Sequence, residues 1–253
     1  MNPTVIASLA FAGIFGAALL GMRLRAALPD QHLSAETKDS VRVGMGLAAT
    51  MTALLLGLLV ASAKGSYDTQ RSEVIQIASK VGFLDRVLAI YGQETTQTRE
   101  LLRREVESTI PRIWPDKKSQ EAPTGPTAEQ AQAQAMYGSI QKLAPQNEEQ
   151  RSLKAQALDT AIELSKSLWL LSAQADPSIV TPLLVAVVIW LAIIFLSFGL
   201  FAPANKTVVA AMFIVALTVS SALFLILELD RPFNGVIMVS SEPLRNVLSH
   251  LGR

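Results

Sequence analysis

The stretch "IVTPLLVAVVIWLAIIFLSFGLFAPANKTVVAAMFIVALTVSSALFLIL", residues 179–227, decides the fold because it holds two long apolar runs separated by a short connector. Neither 179–201 nor 207–227 contains a charged residue. A hydrocarbon core of roughly 30 Å requires about 20 helical residues, and a chain in lipid must satisfy its backbone hydrogen bonds within its own helix. The two runs therefore predict a hairpin of transmembrane helices.

A second hairpin is predicted near the N-terminus, where 4–22 and 43–63 are equally free of charge. The first of these runs has no basic residue before it, and Arg23 and Arg25 follow it, which is the reverse of a secretory signal. We therefore expect it to remain in the mature chain. Half of the 253 residues are hydrophobic and only 17% are charged, a composition that also favours an integral membrane protein.

The region between the hairpins has a different composition and predicts a soluble helical domain. Apolar residues recur every three or four positions over 66–92 and again over 148–175, where Asn147 is a candidate N-cap. The Pro-rich segment 115–126 predicts a mobile loop, and 127–143 predicts a polar helix. The sequence thus predicts an all-α integral membrane protein, with four transmembrane helices in two hairpins and a helical soluble domain inserted between the second and third helices. The predicted domains are 1–63, the stalk domain 64–178, 179–227 and an amphipathic C-terminal tail 228–253.

Composition argues against several functional classes. The net charge is +1 and no basic run is present, so we expect no nucleic-acid partner. The chain has no Cys, which excludes disulfides and thiolate metal or redox chemistry. Its two histidines, His32 and His250, argue against a His-based metal site within one chain. No nucleophile–base motif or phosphate-binding loop occurs. We therefore predict no enzyme activity, no catalytic residue, no metal and no cofactor.

Charged residues follow the fourth apolar run directly, in "LELDRPFNG", residues 227–235. Acids at a helix C-terminus oppose the helix dipole, so Glu228 and Asp230 suggest partners elsewhere. One interpretation is that these charges and Arg231 simply lie at the headgroup level. The other is an interfacial charge latch, in which they pair with charges at the start of the stalk. Asp85 and Arg86, flanked by apolar residues, are predicted to belong to that latch as a partly buried pair.

The connector "LPDQHLSAETKDSVR", residues 28–42, contains a second group of polar side chains. Ser34 is a candidate N-cap for the second membrane helix. One interpretation of the segment is an ordered connector. The other is a proton- or ion-sensing vestibule, because histidine titrates near neutrality. Its residues are His32, Glu36, Lys38 and Asp39.

Three sequence blocks resemble the bacterial bestrophin-like domain family: "LPDQHLSAETKDSVRVGMGLAATMTALLLGLLVASAKGSYD" at 28–68, "LDRVLAIYG" at 84–92 and "LELDRPFNGVIMVSSEPLR" at 227–245. The resemblance implies a multi-pass protein of the bacterial inner (plasma) membrane. It also implies kinship with bestrophins, which are pentameric anion channels with four membrane helices per subunit, a cytoplasmic middle region and a pore lined by the second helix.

Loop charges favour the opposite orientation. Basic residues occur in loop 23–42 and none precedes the first helix, so the positive-inside rule places this loop in the cytoplasm and the stalk outside. That count is weakened by basic residues on the stalk's side of the membrane, which are Arg231, Arg245 and Arg253. The side of the soluble domain therefore stays open at this point.

The resemblance makes the second helix the candidate pore lining, with Thr50, Leu54 and Leu58 as candidate pore residues. Leucines there form a dewetting gate or face lipid, and a sequence does not distinguish the two. Gly44 and Gly46 predict close helix packing and a homo-oligomer, and a pentamer follows from the resemblance alone. The predicted function is an oligomeric, anion-selective ion channel in the lipid bilayer. The alternative is a non-conducting membrane scaffold or sensor that acts through its stalk.

Overall fold

The computed structural model of the chain describes residues 2–29, 34–115, 126–173, 181–203 and 205–252. Within these ranges the backbone is helical and contains no strand, which confirms the all-α prediction. A 3-10 turn (Gln93–Thr95) accompanies the α-helices in the described part of the chain. The helices are α1 (Pro3–Ala27), α2 (Ala35–Tyr91), α3 (Thr96–Ile113), α4 (Pro126–Gln141), α5 (Glu148–Ala173), α6 (Thr181–Phe201), α7 (Lys206–Leu229) and α8 (Glu242–His250).

The described helices include the predicted membrane spans. α1, α2, α6 and α7 are each long and apolar enough to cross a membrane. Their apolar cores coincide with the four uncharged runs of the sequence, so the prediction of four candidate spans is confirmed. The chain is therefore a membrane protein by the length and composition of its helices.

α2 extends well beyond the span that its sequence predicts. It continues as one helix of 57 residues through both the predicted membrane helix 43–63 and the predicted stalk helix 66–92, so these two predicted elements form one continuous helix. Its start is fixed by Ser34, whose Oγ accepts a hydrogen bond from the backbone N–H of Thr37 at 3.2 Å. Asn147 caps α5 in the same way, because its Oδ1 accepts from the N–H of Gln150 at 2.8 Å. Both predicted N-caps are confirmed.

The chain divides into two compact units. The first unit comprises Met1–Ser66 and Ser178–Asp230, and the second comprises Tyr67–Pro177 and Arg231–Arg253. One boundary between the units falls inside α2. Residues 116–125, most of the predicted mobile loop 115–126, lie outside the described residues.

Two glycines allow α1 and α6 to approach closely in the first unit. A Cβ on Gly21 would overlap the carbonyl oxygen of Leu196 and lie 2.8 Å from the backbone nitrogen of Leu200. A Cβ on Gly199 would likewise overlap the carbonyl oxygen of Ala18. Only residues without a side chain permit this contact.

The glycines that the sequence singled out do not make such a contact. A Cβ on Gly44 or Gly46 of α2 would meet no other atom of the described chain within 4 Å. These glycines bring no described helices together within one chain, and their predicted role in packing between subunits stays a prediction. The small residues that bring helices into close contact are Gly21 on α1 and Gly199 on α6. Nothing in the sequence around these two glycines distinguishes them from Gly44 and Gly46.

The second unit gathers α3, α4, α5, α8 and the last part of α2 around one apolar core. The segment after α7 belongs to this unit. The indole N–H of Trp114 donates to the carbonyl of Val239 at 2.7 Å, and the Trp114 ring meets the Phe233 ring edge-on with centroids 5.5 Å apart. Residues that the sequence treats as a separate tail, 231–252, thus pack within the second unit.

Candidate functional site

The candidate pore residues lie in one row on the first unit's part of α2. Thr50, Leu54 and Leu58 are four residues apart, so they recur on one side of the helix. Leu54 is 65% exposed and Leu58 is 61% exposed. We call this surface the α2 row, and it continues toward the start of the helix through further exposed apolar residues: Val43, Leu47 and Met51.

The other side of α2 faces the first unit's core. Thr52 is buried, as are Leu59 and Ala63, and the latter two pack in the cluster formed with α1, α6 and α7. One chain therefore buries one side of α2, and none of its described residues covers the α2 row. Such a surface contacts either lipid or another protein chain.

Thr50 and Thr52 satisfy their hydroxyl groups within α2. Thr50 Oγ1 donates to the carbonyl of Gly46 at 2.9 Å, and Thr52 Oγ1 donates to the carbonyl of Ala48 at 2.8 Å. Both hydroxyl groups therefore bond within their own helix in the described chain. Because the Thr50 hydroxyl already donates within its own helix, the α2 row is an apolar surface. In a pore, an apolar constriction of this kind gates by dewetting.

The acids at the end of α7 are buried. Glu228 is 3% exposed and Asp230 is 6% exposed, and Asp230 caps the helix by donating its backbone N–H to the carbonyl of Ile226 at 3.1 Å. Arg231, the first residue of the second unit after α7, is half-buried. Burial of both carboxylates argues against simple solvation at the headgroup level, because a charge removed from water requires compensation. The latch itself stays a prediction.

Asp85 pairs with Arg99 rather than with its neighbour Arg86. Arg99 donates from Nε to Oδ1 of Asp85 at 2.7 Å and from Nη2 to Oδ2 at 2.9 Å, whereas Arg86 is exposed. The predicted partly buried pair of adjacent residues is therefore wrong for Arg86, because successive residues on a helix point in different directions. The hydrogen bonds to Asp85 raise the pKa of Arg99 above its usual value, against the opposing effect of burial.

Arg99 belongs to a run of arginine and glutamate residues over 99–107, a pattern that is typical of a solvated helix face. The rest of that run fits this description, since Arg103 pairs with Glu107 at 3.0 Å and Arg104 pairs with Glu100 at 3.1 Å in exposed positions. Arg99 differs because it lies near the turn between α2 and α3, where Asp85 is within reach. Sequence spacing gives no signal that separates it from the other arginines.

Three of the four candidate vestibule residues are described, and they lie at the start of α2. His32 lies outside the described residues. Glu36, Lys38 and Asp39 lie in the first turns of α2, where positions 36 and 38 are about 200° apart around the helix. Asp39 forms an exposed ion pair with Arg42 at 3.5 Å. In the described residues this arrangement is a helix start with solvated charges, and a sensing vestibule stays a prediction.

A polar contact between α2 and α5 was missed by sequence reasoning. Lys80 donates to the hydroxyl of Ser167 at 2.8 Å and lies 3.6 Å from a carboxylate oxygen of Glu163. Lys166 also binds this carboxylate at 3.3 Å, and its hydrogen bond, together with the charge of Lys80, lowers the pKa of Glu163. This cluster joins two helices within the second unit.

Comparison with known proteins supports one family assignment. The family model for the Bestrophin-like domain matches residues 12–244, which is nearly the whole chain. No curated protein matches the chain, and no solved structure matches it. The match includes α2, α6, α7 and all of α1 after residue 11, and it covers the second unit up to residue 244. The chain therefore belongs to the Bestrophin-like domain family.

Proposed function

We propose that this protein is an oligomeric membrane ion channel, selective for anions, whose pore is lined by the α2 rows of several subunits. The α2 row carries this proposal, because it is a continuous exposed apolar surface on a helix whose other side is packed in the protein core. Membership in the Bestrophin-like domain family supports a channel-related role.

A pore of this kind requires several copies of the chain. The α2 row faces away from the first unit's own core, so one chain does not enclose it. Copies arranged around a closed rotation axis would bring the rows together at the centre. Thr50 would then mark the more polar level of the lining, with Leu54 and Leu58 as the apolar constriction. A pentamer follows from the family resemblance.

The second unit is proposed to be the soluble stalk domain inserted between the two membrane hairpins. We place the protein in the bacterial inner membrane, with the second unit outside the cytoplasm according to the loop charges. The natural chain has no Cys, so single-cysteine variants report sidedness without background. Gln97→Cys tests the exposed surface of α3, and Ala26→Cys tests the exposed end of α1.

In sealed spheroplasts, a membrane-impermeant maleimide is expected to label Gln97→Cys and not Ala26→Cys. Both variants should be labelled after lysis, which controls for accessibility of the thiol. Labelling of Ala26→Cys alone in sealed spheroplasts would reverse the proposed orientation and place the second unit in the cytoplasm.

A second candidate function is a non-conducting scaffold or sensor that acts through the second unit. Exposed aromatic residues on this unit favour it, since large apolar side chains in water commonly mark protein interaction surfaces. Trp169 on α5 is 73% exposed, and Phe83 on α2 is also exposed. This candidate would be favoured if the oligomer conducts no current in a planar bilayer and binds a specific protein partner.

Planar-bilayer recording of the purified, reconstituted protein tests the channel directly. We expect single-channel currents whose reversal potential follows the chloride gradient. Vesicles prepared in parallel without protein provide the control. Absence of current from protein that is oligomeric by native mass spectrometry would contradict conduction, and a monomer would contradict the whole proposal.

A further inference from the structure

A groove of about 700 Å³ opens on the first unit, at the beginning of α7. This volume falls within the roughly 300–1,000 Å³ that is usual for small-molecule sites. One end of the groove is polar and the remainder is apolar. Its lining residues are Phe15 of α1, Asn205 and Lys206 at the polar end, and the apolar residues Val209, Ala210, Phe213 and Ile214 of α7.

An aromatic cluster forms the apolar wall. The Phe213 ring meets the Phe11 ring edge-on at 5.3 Å and the Phe15 ring edge-on at 5.5 Å. Phe11 and Phe15 stack on each other at 5.8 Å. Three rings in mutually favourable orientations hold one another in place, so the wall is a preformed surface.

The polar end carries a positive charge that no described residue neutralises. Lys206 is exposed at the first position of α7 and makes no ion pair with the described residues. Asn205 uses its side-chain oxygen to accept from the N–H of Val208 at 2.8 Å. Arg25 donates to the carbonyl of Ala202, which places a second cation at the same end of the first unit.

The two helices that line the groove, α1 and α7, have no acid near its polar end. The stretches 3–27, 181–201 and 206–227 contain neither Asp nor Glu. The charged residues of these stretches are basic, so a ligand that complements the polar end of the groove carries negative charge. From Lys206 to Ile214 the helix rises about 12 Å, so the polar end and the apolar end of the groove match the depths of a headgroup and of the adjoining acyl chain.

We propose that this groove binds an anionic phospholipid from the surrounding bilayer. Lys206 contacts the phosphate, and the acyl chain lies against Phe15, Phe213 and Ile214. The site goes beyond the proposed channel activity, because it depends only on surfaces of a single first unit. It differs from ordinary lipid contact in selecting the headgroup by charge.

The test is lipid retention by the purified protein in native mass spectrometry, using dioleoyl phosphatidylglycerol and dioleoyl phosphatidylcholine in matched mixed micelles. We expect the parent to retain phosphatidylglycerol roughly five-fold more than phosphatidylcholine, the ratio that corresponds to about 1 kcal/mol per basic residue. Lys206→Gln should bring this ratio close to one. Lys38→Gln, which removes the same charge at the start of α2, should leave it unchanged.

A second variant tests the groove itself. Ala210→Trp fills the apolar end at an exposed position, so folding is not at risk. It should reduce retention of phosphatidylglycerol, whereas a site for a free anion at Lys206 would not depend on the groove. Equal retention of both lipids by the parent would overturn the proposal. An equal loss of the phosphatidylglycerol preference in Lys38→Gln would also overturn it, as would full retention by Ala210→Trp.

Discussion

Arg99 and Asp85 form a bidentate ion pair across the turn between α2 and α3. Two hydrogen bonds of 2.7 and 2.9 Å join the guanidinium to the carboxylate, and the side chains are only 17% and 12% exposed. The planar fork of arginine matches a carboxylate in this way, and lysine does not. The pair therefore holds the start of α3 on the end of α2.

Removing Asp85 should destabilise the second unit, because it leaves a largely buried guanidinium without this carboxylate. We expect Asp85→Ala to cost about 2 kcal/mol in the free energy of unfolding. Thermal unfolding in detergent, followed by tryptophan fluorescence, measures this. Glu107→Ala, which breaks the exposed pair with Arg103, should cost less than about 1 kcal/mol. Equal effects of the two variants would mean that the Asp85 pair is no more than a surface ion pair.

Gly21→Ala should disturb the packing of α1 on α6. The added methyl group overlaps the backbone of α6 at Leu196, and overpacking of this kind typically costs about 1–3 kcal/mol. Gly16→Ala is the matched control on the same helix, because a Cβ there meets nothing within 4 Å. The midpoint of thermal unfolding should fall for Gly21→Ala only. A tolerated Gly21→Ala would refute the close contact.

Leu54→Ser should increase conduction if the α2 row lines a pore. A hydroxyl group at the constriction favours water there and lowers the dewetting barrier. Single-channel recording should then show a larger current or a longer open time than the parent. Leu217→Ser changes an exposed leucine on α7 and should leave both quantities as in the parent. The same increase in both variants would argue that neither residue is specific to the pore.

Arg231→Ala tests the predicted latch after α7. We expect it to lower the unfolding midpoint, since loss of a hydrogen bond to a charged partner costs about 1–3 kcal/mol. Glu228→Gln should have a smaller effect because Gln still offers an acceptor. Arg245→Ala, at an exposed position of α8, serves as the control. If Arg231→Ala unfolds like Arg245→Ala, the charges after α7 are ordinary interfacial residues.

The Glu163 cluster predicts a pH dependence. The hydrogen bond from Lys166 and the charge of Lys80 lower the pKa of Glu163 in the folded state. Its contribution to stability is therefore present above the unfolded pKa of about 4.3 and is lost as the pH falls through the lower folded value. At low salt, acidification should lower the unfolding midpoint more in the parent than in Glu163→Gln. This difference should vanish at high salt, because the carboxylate is exposed.

Some features needed only local information. The four apolar runs predicted the candidate spans, because a hydrocarbon core forces an uncharged run of that length to be helical. The N-caps at Ser34 and Asn147 were also predicted correctly, since the capping side chain and the N–H that it binds are three residues apart. Helix type and helix start are thus encoded within a few turns of chain.

The identity of the residues that contact each other across the fold required the tertiary structure. Asp85 has Arg86 beside it in sequence and binds Arg99, and Gly21 meets Leu196 across 175 positions of chain. The position of a charged residue or a glycine in the sequence does not identify its distant contact, because that contact depends on which helices pack together and in what register. The sequence by itself determined which segments are helical and which are apolar enough for a membrane. The tertiary structure decided which face of each helix is buried, because only packing brings distant residues into contact.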